Sequence, residues 1–234
     1  MTPALLDVAN LDAGYGDFQA LYGLSLQVGA GETIAIIGAN GAGKTTLLRA
    51  VMGQVRVRGG TISYGGEDLS GVPTHDRVRR GMGLVPEGRR LFPSLSVEEN
   101  LMIGGYGRRP GRWTIPEVLA VFPMLQPLLK RASSTLSGGE QQAVAIGRTL
   151  MANPDLVLLD EVSLGLAPVV VHRLYEALPQ IVEGGTTVVV VEQDITLALD
   201  VADRVYCLLE GRVSLSGPPA DLTRDVITTA YFGV

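Results

Sequence analysis

At 234 residues, 46% of them hydrophobic, the chain can bury a sizeable core and is too apolar to be disordered. A net charge of −5 argues against the basic footprint that nucleic-acid binding needs, so no nucleic-acid partner is expected. The lone cysteine, Cys207, rules out an intrachain disulfide, the apolar runs fall short of the roughly 18 residues of a membrane span, and "MTPALLDVANLDAG" has no basic stretch and does not read as a secretory signal.

In chain order, the pattern predicts strands at Leu5–Ala9, Leu24–Val28 and Thr33–Ile37, then a helix over Lys44–Met52. A helix at Thr74–Arg80 and a strand at Met82–Val85 follow. From Glu87 to Ser134 there are helical segments (Val97–Ile103, Pro116–Val121), the loop "GGYGRRPGRW" and no strand between them. The remainder alternates: helix Gly138–Ala152, strand Leu156–Asp160, helix Val169–Val182, strand Thr187–Glu192, helix Ile195–Val201, then strands Arg204–Leu209 and Arg212–Leu215. Such alternation argues for a parallel sheet. The expected fold is α/β: a core of mostly parallel sheet with flanking helices, an antiparallel β layer, and an inserted α-helical lobe. It forms one domain over 1–234, with the core at 1–86 and 135–234 and the lobe at 87–134.

Three motifs carry chemistry. "GANGAGKT" follows an apolar strand and opens a helix, the context that a phosphate-binding loop requires, so the α/β core is expected to be a P-loop NTPase core. Backbone N–H groups of Gly38, Ala39, Asn40, Gly41, Ala42 and Gly43 can turn inward around phosphate oxygens, and the helix N-terminus adds partial positive charge. Lys44 would bridge the β- and γ-phosphates of a nucleotide, Thr45 would offer a hydroxyl to Mg²⁺, and Thr46 continues the loop. "LVLLDE" is a buried strand ending in two acids. Asp160 can hold Mg²⁺ through water, and Glu161 can polarise a water for attack on the γ-phosphate. "LSGGEQQ" has a sufficient structural explanation as a helix start, since Ser137 and Glu140 make a capping box.

In this order and spacing, the three motifs resemble the ATP-binding subunit of an ABC transporter, and the resemblance covers essentially the whole chain. It implies a head-to-tail pair in which each ATP lies between the P-loop of one subunit and the signature of the other. Ser137, Gly138, Gly139 and Glu140 would then serve a γ-phosphate bound by the partner. It further implies an aromatic on adenine ahead of the P-loop, where Tyr15 matches and Phe18 is the fallback.

Several positions depart from the family pattern. Glu87 stands where the family usually has glutamine, as a further catalytic and Mg²⁺-facing candidate. Ala167 replaces a usual aspartate and Val162 a usual proline. In "TTVVVVEQD" the strand ends on Gln193, where the family has a histidine that senses the γ-phosphate. An amide can still donate to phosphate but cannot become cationic. His75 and His172, the only histidines, read as surface residues. "VPEGRRLFPSLSVEENL", "DEVSLGLAP" and "VVEQD" are similar to the LivF-type subunit, the shorter ATP-binding subunit of branched-chain amino-acid importers. That similarity implies an ATP-hydrolysing importer subunit at the cytoplasmic face of the membrane. Its partners would be a second ABC ATPase, two permeases and, indirectly, an external solute-binding protein. A homodimer in isolation, a weakly hydrolysing ATP-gated partner subunit, and an importer of urea or short amides stay open. Residues 87–105 would dock a permease, with Leu91, Phe92 and Leu95 as apolar surface.

Overall fold

The computed structural model describes residues 4–107, 109–222 and 226–227. The chain falls into two compact units, residues 1–77 with 187–234, and residues 78–186.

The first unit carries two layers of strands. β1 (Leu6–Tyr15), β2 (Phe18–Val28), β4 (Arg56–Tyr64) and β5 (Glu67–Asp68) form an antiparallel sheet in the order β2-β1-β4-β5. Leu6 and Val8 face inward along β1, and after a register shift Leu11 and Ala13 do so again, which keeps the apolar face of that layer continuous. In the second layer β3 (Thr33–Gly38) lies parallel to both β8 (Thr187–Glu192) and β9 (Arg204–Leu209), and β10 (Arg212–Gly217) closes antiparallel on β9. Every residue of β3 and β8 is buried, which is why residues 34–37 and 188–191 are unbroken apolar runs. α1 (Lys44–Val51), α2 (Thr74–Arg79) and α8 (Ile195–Val201) complete the unit. Ala198 packs with Ala35, Ile37, Val205 and Cys207, and burial pushes the Cys207 thiol up to about 11, so it stays protonated and inert.

The second unit pairs β6 (Met82–Val85) parallel with β7 (Leu156–Asp160). Its helices are α3 (Val97–Gly104), α4 (Ile115–Val121), α5 (Gly138–Leu150), α6 (Pro168–Tyr175) and α7 (Leu178–Glu183). Short 3-10 turns at Pro123–Leu128 and Ser133–Thr135 lead into α5. Trp113 is buried, and its indole N–H donates to the Thr186 hydroxyl at 3.0 Å. Asn100 organises the loop ahead of α3. Its Oδ1 accepts from the Phe92 N–H at 3.0 Å. Its Nδ2 lies within 3.3 Å of the Phe92, Leu95 and Ser96 carbonyls and 2.8 Å from the Ser133 hydroxyl.

Two features differ from expectation. β4 and β5 read as coil because Arg56 and Arg58 interrupt the apolar pattern and the Gly59–Gly60 pair reads as a turn; it sits at register shifts against β1 instead. The helix expected over Val169–Val182 divides into α6 and α7, since Pro179 at the start of α7 has no N–H to continue the ladder.

Replacing Asn100 with Ala removes every one of these polar contacts at a fully buried position. The expected loss is about 3 kcal/mol of unfolding free energy, read from a denaturant melt.

Candidate nucleotide site

In the first unit, β3 delivers the chain into the loop 39–43 and directly into α1. Gly43, the residue before α1, has φ 101°, and a Cβ there would sit 2.7 Å from Leu21 Cδ2, so only glycine permits this turn. α1 begins with no capping side chain and no acidic residue in its first turn; Lys44 stands there instead. A cation at a helix N-terminus opposes the dipole, an arrangement that an anion would reverse. Lys44 is 4% exposed, and its ammonium donates to the carbonyls of Gly38 (2.7 Å) and Ala39 (3.2 Å). Thr46 is buried beside it in sequence and Thr45 is half-buried. The loop is braced from the far side by the Gly211 N–H, which donates to the Ala42 carbonyl at 3.0 Å.

Tyr15 closes β1 and pairs with Phe18 across the hairpin. Tyr15 is 41% exposed and Phe18 69%. In β8 the pairing of Ile37 with Glu192 brings Gln193 out one residue further, level with the start of the loop at Gly38. The strand's polar ending resolves into three roles: Glu192 is buried in the strand, Asp194 caps α8 by accepting from the N–H groups of Thr196 and Leu197, and Gln193 lies half-buried between them.

In the second unit, Asp160 is a carboxylate only 4% exposed at the end of β7. Glu161 follows with φ 47°, a left-handed conformation that a non-glycine residue holds only when its surroundings enforce it. Ser137 caps α5: its hydroxyl accepts from the Glu140 N–H, and the Glu140 carboxylate accepts from the Ser137 N–H at 2.7 Å. Ser137 remains exposed at that helix start. Glu87 is exposed just beyond β6 and opens a stretch of three left-handed residues, Gly88 (φ 77°), Arg89 (φ 62°) and Arg90 (φ 49°). From α5, Arg148 donates to the carbonyls of Arg90 (2.8 Å) and Arg89 (3.2 Å), lies over the Phe92 ring at 5.8 Å and is held below the usual guanidinium range by burial. Arg89 in turn donates to the Gln141 amide oxygen at 3.1 Å. No motif marks Arg148; its only signal in the sequence is a cation spaced among core positions of α5. Phe92 is exposed, while Leu91 and Leu95 are half-buried.

Among the described residues no three His, Cys, Asp or Glu side chains cluster to hold a metal by themselves. A hard cation here would have to draw on phosphate oxygens and water, as Mg²⁺ does.

A glycine-rich loop between a buried parallel strand and a helix, with a buried lysine at its end, defines a phosphate-loop nucleotide-binding protein. Residues 21–163 match the family model described as ABC transporter. The chain is 43% identical to the high-affinity branched-chain amino acid transport ATP-binding protein BraG of Pseudomonas aeruginosa, over 98% of this chain and 100% of that one. It is 31% identical to the probable branched-chain amino acid transport ATP-binding protein LivF of Archaeoglobus fulgidus, over 93% and 94%. It superposes with a TM-score of 0.79, at 25% identity and over 92% and 98% of the chains, on a dimeric post-hydrolysis state of the ATP-binding cassette MJ0796 bound to ADP and Pi. The chain belongs to the ABC transporter family and is one of its ATP-binding, ATP-hydrolysing subunits.

Ala167 precedes α6 in extended conformation and supplies no side-chain cap. Ala167→Asp should therefore stabilise the protein by about 1 kcal/mol, raising the melting temperature by about 2–4 °C in a calorimetric scan.

Proposed function

We propose that this chain powers an importer of branched-chain or other hydrophobic amino acids. The observation that carries this reading is the phosphate loop with its buried Lys44 in a chain 43% identical to BraG end to end. Urea or short amides are the alternative cargo. The backbone of Gly38–Gly43 and Thr46 cradles the phosphates, Lys44 leaves its two carbonyls to bridge the β- and γ-phosphates, and Tyr15 stacks on adenine. Thr45, Asp160 and, more remotely, Glu87 are oxygen donors of the kind Mg²⁺ takes, the ion supplying charge neutralisation when bound. Glu161 orients and deprotonates the attacking water, and its strained backbone is consistent with a fixed direction of approach. Gln193 donates a neutral hydrogen bond to the γ-phosphate.

We propose further that the working unit is a head-to-tail pair with a second ABC ATPase, docked on two permeases at the cytoplasmic face of the membrane and served from outside by a solute-binding protein. An exposed Ser137 at the N-terminus of α5 supports this arrangement, as does the dimeric state of MJ0796. Residues 87–134, whose described residues contain helices and turns but none of the strands β1–β10, are the helical lobe, with Phe92 the most exposed of the three residues offered to a permease. No helix among the described residues is long and apolar enough to cross a membrane.

Ser137→Arg places bulk and charge where the partner's γ-phosphate would lie. Mg-ATP affinity of the isolated chain should stay within about twofold while ATP-driven pairing, followed by sedimentation, disappears. Parallel loss of both would reduce Ser137 to a helix cap.

The decisive experiment is steady-state ATPase of the assembled transporter, with the partner ATPase's own general base removed. Glu161→Gln should then lower turnover by about 10²–10⁴. Gln193→His should keep or modestly raise it, and Gln193→Ala should cost about a decade or less. No turnover even with Glu161 present would favour a chain that binds ATP as a switch.

A further inference from the structure

Tyr15 stands on an exposed two-residue hairpin, Tyr15-Gly16-Asp17-Phe18, where Gly16 takes φ 51°. A ring that stacks on a base must be held face-on before the base arrives, or binding bears the ordering cost. Two arginines on other elements hold it. Arg58, on β4, reaches across the end of β1 and gathers all three carbonyls of the turn. Its Nη2 donates to Gly16 O at 2.5 Å and Phe18 O at 3.3 Å, and its Nη1 to Asp17 O at 3.4 Å. Arg49, on α1, donates from Nη1 to the Tyr15 hydroxyl at 3.3 Å. Neither guanidinium forms an ion pair with an acid among the described residues. Arg49 lies on the helix that Lys44 begins, so one rigid element carries the lysine at one end and grips the tyrosine from the other.

Resting on the reading that Tyr15 stacks on the base, we infer that Arg58 and Arg49 are positioning residues for the nucleobase: Arg58 fixes the hairpin that presents Tyr15, and Arg49 anchors the hydroxyl end of its side chain and so sets the direction in which the ring projects. They act on the base subsite alone, because none of their bonds touches the phosphate loop. Planar, multi-donor guanidinium suits this task, since one fork can satisfy carbonyls pointing in different directions.

The test compares two probes on the full chain by calorimetry, Mg-ATP and Mg-tripolyphosphate, which has the phosphates without the base. Arg58→Gln should weaken Mg-ATP about tenfold and leave Mg-tripolyphosphate within about twofold. An unchanged Mg-ATP affinity, or equal weakening of both probes, would overturn the role of Arg58. Should Arg58→Gln fail to fold, the exposed pair Arg49 and Tyr15 carries the test. Arg49→Gln and Tyr15→Phe should each weaken Mg-ATP a few-fold, again sparing tripolyphosphate, and the double variant should be no worse than either alone. Additive losses, or none, would overturn the role of Arg49. Tyr15→Ala separates this inference from the reading beneath it. If Tyr15→Ala weakens Mg-ATP and Arg58→Gln does not, only the inference fails; if Tyr15→Ala is itself neutral, the stacking reading falls and the inference with it.

Discussion

The ammonium of Lys44, folded onto the carbonyl oxygens of Gly38 and Ala39, is the contact around which the nucleotide end of the molecule is built. A buried cation needs compensation, and here the chain provides it from the loop that the lysine itself terminates. That arrangement demands a left-handed Gly43 to turn the loop into α1. It also demands a strand rigid enough to fix where the loop starts. β3 meets the second demand by pairing in parallel on both sides, with β8 and β9. The same register brings Gln193 out beside Gly38. A bound phosphate would thus displace two carbonyls from an ammonium already in place, with little rearrangement of the backbone.

A second theme is the use of arginine against backbone carbonyls. The chain has only two lysines but many arginines, and several of these bind backbone carbonyls. Arg58 holds the Tyr15 hairpin. Buried Arg77 donates to the carbonyls of Val72, Ala50, Val51 and Leu69, joining α1 to the loop before α2. Arg148 pins the left-handed Arg89 and Arg90, and through them fixes the position from which Glu87 extends. A fork of donors tolerates irregular backbone better than a single charge, so loops with strained torsions stay defined without lengthening any helix or strand.

Much of this was legible in the sequence because the signals were local. A run of β-branched residues buried on both faces gave β8, and "TIAIIGANGAGKT" gave strand, loop and helix in a row. The capping box of α5 was readable from Ser137 and Glu140. What escaped reading depends on partners distant in sequence. β4 is a strand because β1 pairs with it, whatever Arg56, Gly59 and Gly60 suggest locally. Nothing in "LLRAV" or "VRVRGG" names the Tyr15 hairpin as the target of Arg49 and Arg58. The conformation of Glu161 was also hidden: the acid could be read, its left-handed backbone could not.

The presence of only two lysines allows the central claim to be tested at a single atom. Lysine labelled with ¹³C at the ε position gives one signal for Lys44 and one for Lys130, whose ammonium pairs with Glu98. Titration with Mg-ATP should shift the Lys44 signal as its ammonium exchanges two carbonyls for phosphate oxygens, and leave Lys130 unmoved. Saturating Mg-ATP that leaves the Lys44 signal in place, or moves Lys130 instead, would contradict the account.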